Sequence, residues 1–138
     1  MNIAIVGATG NVGRKILEVL EKKELSIDNL YLLASARSAG SKINFLGNEH
    51  EVLNLETFDF SKAKITFFAA GGKISEKFAE KAAKNCLVID NSSYFRMDPD
   101  VPLIVPQVNS KDLKSIKKNI IANPNCSTAQ LVIALKPL

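Results

Sequence analysis

The chain has 138 residues, 46% hydrophobic and 23% charged, and 18 basic against 14 acidic residues give it a net charge of +4. That suits one soluble domain with a real core; no stretch is apolar enough to cross a bilayer, and MNIAIVGATG lacks the basic region and cleavage site of a signal peptide, so a cytoplasmic location is expected. Two cysteines and one histidine suggest neither a disulfide framework nor a metal site, and the seven phenylalanines lie in apolar runs rather than among the lysines, which excludes nucleic acid as a partner.

Short apolar runs alternate with segments of helical period. NIAIV (2–6) reads as a buried strand. The next segment sets Val12, Ile16, Val19 and Leu20 at helical spacing, with Glu and Lys on the other face. LYLLAS (30–35) is a second strand, and KINFLGNEHEVLNL (42–55) reads as two short strands joined at Gly47-Asn48. KITFFAA (64–70) follows, then a helix over 74–85 with Phe78, Ala82 and Ala83 inward, and the strand CLVIDNS (86–92). LIVPQV (103–108), a polar helix near 110–118 and NIIAN (119–123) complete the series. The stretch FRMDPDVPL is irregular, because its prolines cannot sit in a central strand. Buried strands separated by helices predict an α/β domain: a Rossmann-like, doubly wound, mainly parallel sheet with helices on both faces, occupying 1–138 as one domain.

The first strand runs into GATGNVG, with Gly7, Gly10 and Gly13 three residues apart at a strand–helix junction. Glycines there permit a tight turn and close approach to a pyrophosphate, while the helix start offers free N–H groups. The spacing is not GxGxxG, but the context points to a dinucleotide. NAD sites place a carboxylate on the ribose about 20 residues on. Between Asp28 and Glu49 there is none; the second strand ends instead in SARSAGSK. Arg37, flanked by Ser35 and Ser38, has the chemistry to bind a 2′-phosphate, which favours NADP.

Cys126 lies between Asn-Pro-Asn and STAQLVIAL. Pro124 stops the preceding strand, Asn125 is a good N-cap, and the cysteine falls in the first helical turn. The dipole and free N–H groups of such a turn favour a thiolate and could hold an oxyanion. Cys86, opening an apolar strand, reads as a core filler.

These stretches together resemble the N-terminal part of the aspartate-β-semialdehyde dehydrogenase family. The likeness covers the whole length: GATGNVG, SARSAG, AAGG at 69–72, DNSSYFRMDPDVPLIVPQVN at 90–109 and NPNCST at 123–128. The neighbouring N-acetyl-glutamyl-phosphate reductases have a glycine before their cysteine, where this chain has Asn125. The resemblance implies that Cys126 is the nucleophile that forms an acyl-thioester and that Asn125 helps to shape its site. Arg96 would bind the phosphate substrate, and Arg37 and Ser38 the 2′-phosphate of NADP. Thr9, Gly10, Asn11 and Val12 would form the pyrophosphate turn, with Ala70, Gly71 and Gly72 beside the cofactor.

The implied reaction converts aspartate semialdehyde, phosphate and NADP to aspartyl phosphate and NADPH, a step towards lysine, methionine and threonine. Family members are more than twice this long; their catalytic histidine, substrate-carboxylate arginine and most of a dimer or tetramer interface come from beyond residue 138. The chain therefore reads as an isolated cofactor domain that binds NADP and turns over little substrate. His50 reads as an exposed residue between two strands rather than a base, and Asp90 as structural. A non-catalytic binding module of the same fold is the alternative, though such a module needs none of Cys126, Arg96 and Arg37. A short-chain reductase would need Tyr-x-x-x-Lys, and Tyr31 and Tyr94 have Ser35 and Asp98 at that offset.

Overall fold

The computed structural model describes residues 1–138. Its strands are β1 (Asn2–Val6), β2 (Asn29–Ala34), β3 (Lys42–Phe45), β4 (Asn48–Asn54), β5 (Ile65–Phe68), β6 (Leu87–Asp90) and β7 (Ile120–Ala122). Its helices are α1 (Asn11–Lys22), α2 (Gly72–Ala83), the short α3 (Pro106–Asn109) and α4 (Cys126–Leu135). The sheet order is β3-β4-β2-β1-β5-β6-β7, and every pairing is parallel except the β3–β4 hairpin. The doubly wound sheet expected from the sequence is present.

β1 lies at the centre, flanked by β2 and β5, and its residues Ile3, Ala4, Ile5 and Val6 are almost wholly buried. Ile3 and Ile5 face a core built with Leu17 and Leu20 of α1 and Leu32, Ala34 and Val52 of the sheet. Ala4 and Val6 face a larger core with Phe60, Phe68, Phe78, Ala79, Ala82 and Val88. One long helix thus covers each side. α1 reaches only its own half of the sheet, so on its side Ile65, Phe67, Leu87 and Ile89 stay half-buried while their neighbours under α2 are sealed.

Five readings change in detail. The helical stripe of α1 that meets the sheet is Gly13, Leu17 and Leu20; Val12 and Val19 are exposed and Ile16 only half-buried. Helical spacing identifies a stripe, but the contact of Gly13 with the turn below decides which stripe faces inward. The hairpin turns at Leu46 and Gly47, both at positive φ, and Asn48 already pairs with Phe45. His50 therefore lies within β4, half-buried and edge-on to Phe45, not between strands. LIVPQV forms no strand: Leu103 makes one bridge to Ala122, and Pro106 starts α3. The polar segment behind it is a 3-10 turn over Ser110–Ser115.

Two features, one steric and one polar, lock this frame. A Cβ on Gly13 would lie 2.2 Å from the Gly7 carbonyl oxygen, so α1 can approach β1 only without a side chain there. Asp90, fully buried at the end of β6, accepts from Ser75 Oγ of α2 at 2.7 Å and from the amide and hydroxyl of Ser92 at 3.0 and 2.7 Å. These three donors replace water around a carboxylate that has no cationic partner.

Gly13→Ala is expected to lower unfolding free energy by about 2–3 kcal/mol in urea denaturation, because the obstructing atoms are backbone. Asp90→Ala should cost about 3 kcal/mol, since it orphans two buried hydroxyls, and Asp90→Asn less. Unchanged midpoints in either alanine variant would contradict the packing described.

Candidate functional site

The C-terminal ends of β4, β2, β1 and β5 enclose a cavity of about 370 Å³. Val6, Gly7, Thr9 and Gly10 form its floor at the first turn, Ala34, Ser35 and Ala36 one side, and Ala69 and Ala70 the other. Leu55, Ile74 and Phe78 add apolar wall, and Glu56 brings the one charged side chain. Openings at the carboxyl ends of parallel strands, where the chain leaves in opposite directions from neighbouring strands, are where ligands bind in such sheets.

The turn itself is shaped for close approach. Gly7 adopts φ +85°, and a Cβ there would sit 2.7 Å from the Ala69 carbonyl oxygen. The Gly7 and Ala8 amides are spent on the Leu33 carbonyl, and the Gly10 amide on Gly7. Beyond them α1 starts with no side-chain cap, and its first internal hydrogen bond is from Arg14 to Gly10. The amides of the exposed Asn11 and Val12 are thus open to an anion, while that of Gly13, also without an acceptor, is buried. Arg14 Nε donates to the Thr9 carbonyl at 3.2 Å and braces the turn from outside. α2 also starts uncapped, behind Gly71 at φ +87° and Gly72.

Of the residues singled out in the sequence, Gly7, Thr9, Gly10, Ser35 and Ala70 line the cavity. Asn11, Gly71 and Gly72 stand at the two helix starts beside it. Gly13 serves packing, and the Val12 side chain lies on another surface, with Ile16, Val19 and Phe67. Arg37 is exposed just past the lining residue Ala36 and makes no hydrogen bond or ion pair, while Ser38 closes a turn by donating its amide to Ser35 O at 2.9 Å. The guanidinium is free to meet a ligand.

A second group gathers at the ends of β6 and β7. Cys126 is the exposed first residue of α4, capped by Asn125, whose Oδ1 accepts from the Ser127 amide at 2.9 Å and hydroxyl at 2.6 Å. The cap leaves the amides of Cys126 and Thr128 without an acceptor. Arg96 is held by two strand-end carbonyls, Nε to Asn123 at 3.0 Å and one terminal nitrogen to Asn91 at 3.1 Å. Asn123 Nδ2 also donates to Asn91 Oδ1 at 2.7 Å, which ties the two strand ends together. A rigid arginine with spare N–H donors, close in the sheet to a capped helix bearing a thiol, suits an anionic group at a reacting carbonyl.

The loop that carries Arg96 is fixed from below. Asp90 holds Ser92, whose Oγ accepts from the Tyr94 amide at 3.1 Å, and Phe95 is buried beside it. Further on, Lys118 Nζ meets Asp98 Oδ2 at 2.8 Å and Lys117 Nζ meets Asp100 Oδ1 at 2.8 Å. The Lys118 hydrogen bond, helped by the Asp100 amide, holds the Asp98 carboxyl below its usual range. This tether is therefore complete at neutral pH and is lost as pH falls through that depressed value. Cys86, by contrast, is buried, donates to the Ala82 carbonyl at 3.2 Å and has its thiol pushed up by burial.

Sequence reasoning missed Glu56, Asn91, Asn123 and Arg14. Glu56 comes from a strand whose end could not be placed beside the first turn until the sheet order was known. Asn91 and Asn123 act through a pairing between strands some 30 residues apart, which no local signal announces.

Residues 2–116 match the family described as "Semialdehyde dehydrogenase, NAD binding domain". The chain is 50% identical over 139 residues to aspartate-semialdehyde dehydrogenase of Shewanella violacea, and 55% identical over 140 residues to that of Aquifex aeolicus. Each alignment takes in 99% of this chain and 41% of the relative, so the chain spans about two fifths of their length. Among solved structures, aspartate semialdehyde dehydrogenase II of Vibrio cholerae, complexed with ASA, superposes with TM-score 0.96 at 51% identity, over 99% of this chain and 45% of that one. The Candida albicans enzyme, solved with NADP, superposes with TM-score 0.77 at 29% identity, over 99% and 46%. With its glycine turn, its open helix starts and a family match over 115 of 138 residues, the chain belongs to the semialdehyde dehydrogenase NAD-binding domain family.

Proposed function

We propose that this chain is the NADP-binding part, carrying the nucleophile, of an aspartate-semialdehyde dehydrogenase that makes aspartyl phosphate through a cysteine thioester in the cytoplasm. The observation that carries the reading is the pairing of two sites on one sheet edge. The glycine turn serves a dinucleotide; Cys126 and Arg96 serve an acyl group and phosphate. The sheet order puts β7 three strands from β1, on the order of 15 Å. That is a span a dinucleotide can bridge, with its adenosine half towards β2 and β4.

The residues fit such a cofactor. Gly7 and Gly13 leave the turn without side chains where one would collide, and Asn11 and Val12 offer open amides to a pyrophosphate. Ser35, Ser38 and the unpartnered Arg37 would take a ribose 2′-phosphate, and Ala70, Gly71 and Gly72 would flank the pyrophosphate from α2. When bound, the dinucleotide supplies a hydride acceptor or donor. Cys126 Sγ attacks the aldehyde carbonyl, and the resulting oxyanion faces the free amides at the start of α4, aided by Asn125. After oxidation the acyl group stays on sulfur as a thioester. Phosphate, oriented by the spare N–H groups of Arg96, displaces it and regenerates the thiolate.

Turnover also needs a proton carrier beside the sulfur. His50, the one imidazole, lies on β4, at the opposite side of the sheet from β7. The chain alone therefore binds nucleotide and keeps an accessible thiol but turns over little aspartate semialdehyde; a homodimer or homotetramer of a longer protein would supply the rest.

In calorimetric titration, NADP should bind and Arg37→Ala should weaken it by about ten- to a hundredfold while changing NAD little, the loss of one charge-assisted phosphate contact. Equal effects on both nucleotides would contradict the role given to Arg37. Iodoacetamide should alkylate Cys126 in the folded chain and reach Cys86 only after unfolding; mass spectrometry of the peptides distinguishes the two. Alkylation of both at equal rates would contradict the burial difference.

A further inference from the structure

The cavity is lined by one acidic residue, Glu56, that the implied chemistry does not use. Glu56 follows the end of β4 in a 3-10 turn (Leu55–Thr57) whose geometry is fixed at three points: Leu55 is buried, the Glu56 amide donates to Asn54 Oδ1 at 3.1 Å, and Thr57 Oγ1 donates to the Asn54 carbonyl at 3.3 Å. Its carboxylate is held from α2, where Lys77 Nζ meets Oε1 at 2.8 Å. Lys77 is itself seated, its ammonium 4.9 Å from the centre of the Phe78 ring. Oε2 has no partner within the chain.

Glu56 belongs to the wall of the cavity away from the glycine turn. β4 lies two strands from β1, so Glu56 stands on the order of 10 Å along the sheet edge from the glycine turn. That is the scale of the ribose and base of one nucleotide. Between them the walls are apolar, lined by Ala34, Leu55, Ile74 and Phe78, which suits the faces of a base. A cluster of apolar side chains holds any purine. It cannot tell one from another. The free carboxylate oxygen can, because it accepts hydrogen bonds and repels a carbonyl.

We propose that Glu56, steadied by Lys77, reads the edge of the purine in the cofactor cavity and selects adenine, whose exocyclic amine donates to it, over hypoxanthine, which carries a carbonyl in that place. The assignment rests on the cavity being the nucleotide site. It makes Glu56 a specificity residue with no part in the chemistry at Cys126, and gives the Glu56–Lys77 pair a purpose beyond that of a surface ion pair, which contributes little to stability.

The test is calorimetric titration of the chain with NADP and with its hypoxanthine analogue, using wild type, Glu56→Ala and Lys77→Ala. Wild type should bind the adenine form about tenfold more tightly or better, in keeping with one charge-assisted hydrogen bond. Glu56→Ala should bring the two within about threefold, mainly by weakening the adenine form, and Lys77→Ala should fall between. Glu56 is exposed at the cavity rim, so its alanine variant should keep the wild-type circular dichroism and melting point. Equal binding of both nucleotides by wild type, or a preference that survives in Glu56→Ala, overturns the role of Glu56 and leaves the nucleotide site standing. Binding of neither nucleotide overturns the nucleotide site and this role with it.

Discussion

The turn between β1 and α1 closes only because two of its residues carry no side chain. A Cβ at Gly7 would meet the carbonyl of Ala69, at the end of β5, and one at Gly13 would meet the carbonyl of Gly7. The first contact sets how closely the central strand end sits against β5; the second sets how α1 lies on the sheet. From that pose follow the buried stripe of Gly13, Leu17 and Leu20 and the open amides at the helix start. Packing and ligand geometry are therefore one constraint. A chain that relaxed it to gain helix propensity would lose the approach its backbone makes to a phosphate.

The opposite end of the sheet solves a different problem. The roles proposed for Cys126 and Arg96, nucleophile and anion holder, need a thiol and a guanidinium that stay solvent-accessible yet hold still, and neither can be packed into a core. The structure fixes them through backbone and amide groups instead. Asn125 caps α4 under Cys126, the Asn91 and Asn123 carbonyls hold Arg96, and buried Asp90 secures the segment leading to it through Ser75 and Ser92. The groups that do the holding are backbone carbonyls or short side chains with few rotamers, so little conformational entropy opposes the arrangement.

Much of this was legible in the sequence, for identifiable reasons. NIAIV and CLVIDNS read as strands because an apolar run between turn signals has few other uses, and Asn-Pro-Asn before Cys126 marks a helix start by chain stereochemistry alone. What stayed hidden depended on partners far along the chain. The choice between the Val12 and Leu17 faces of α1 rests on the Gly13–Gly7 contact, and helical period is silent on it. LIVPQV has strand-like composition, yet Pro102 and Pro106 leave it only a single bridge to β7. Glu56 enters the cavity because β4, not the preceding strand in the chain, pairs with β2. A search for a ribose carboxylate some 20 residues past the glycines passes over it.

The strand ends around the glycine turn are proposed as the nucleotide site. Amide chemical-shift mapping on the 15N-labelled chain, titrated with NADP, tests it most directly. The largest shifts are expected on Gly7, Gly10, Asn11, Ser35, Arg37 and Ala70, with the β3–β4 turn at Leu46-Gly47 unmoved. Shifts spread evenly over the surface, or centred away from the β1–α1 turn, would contradict it.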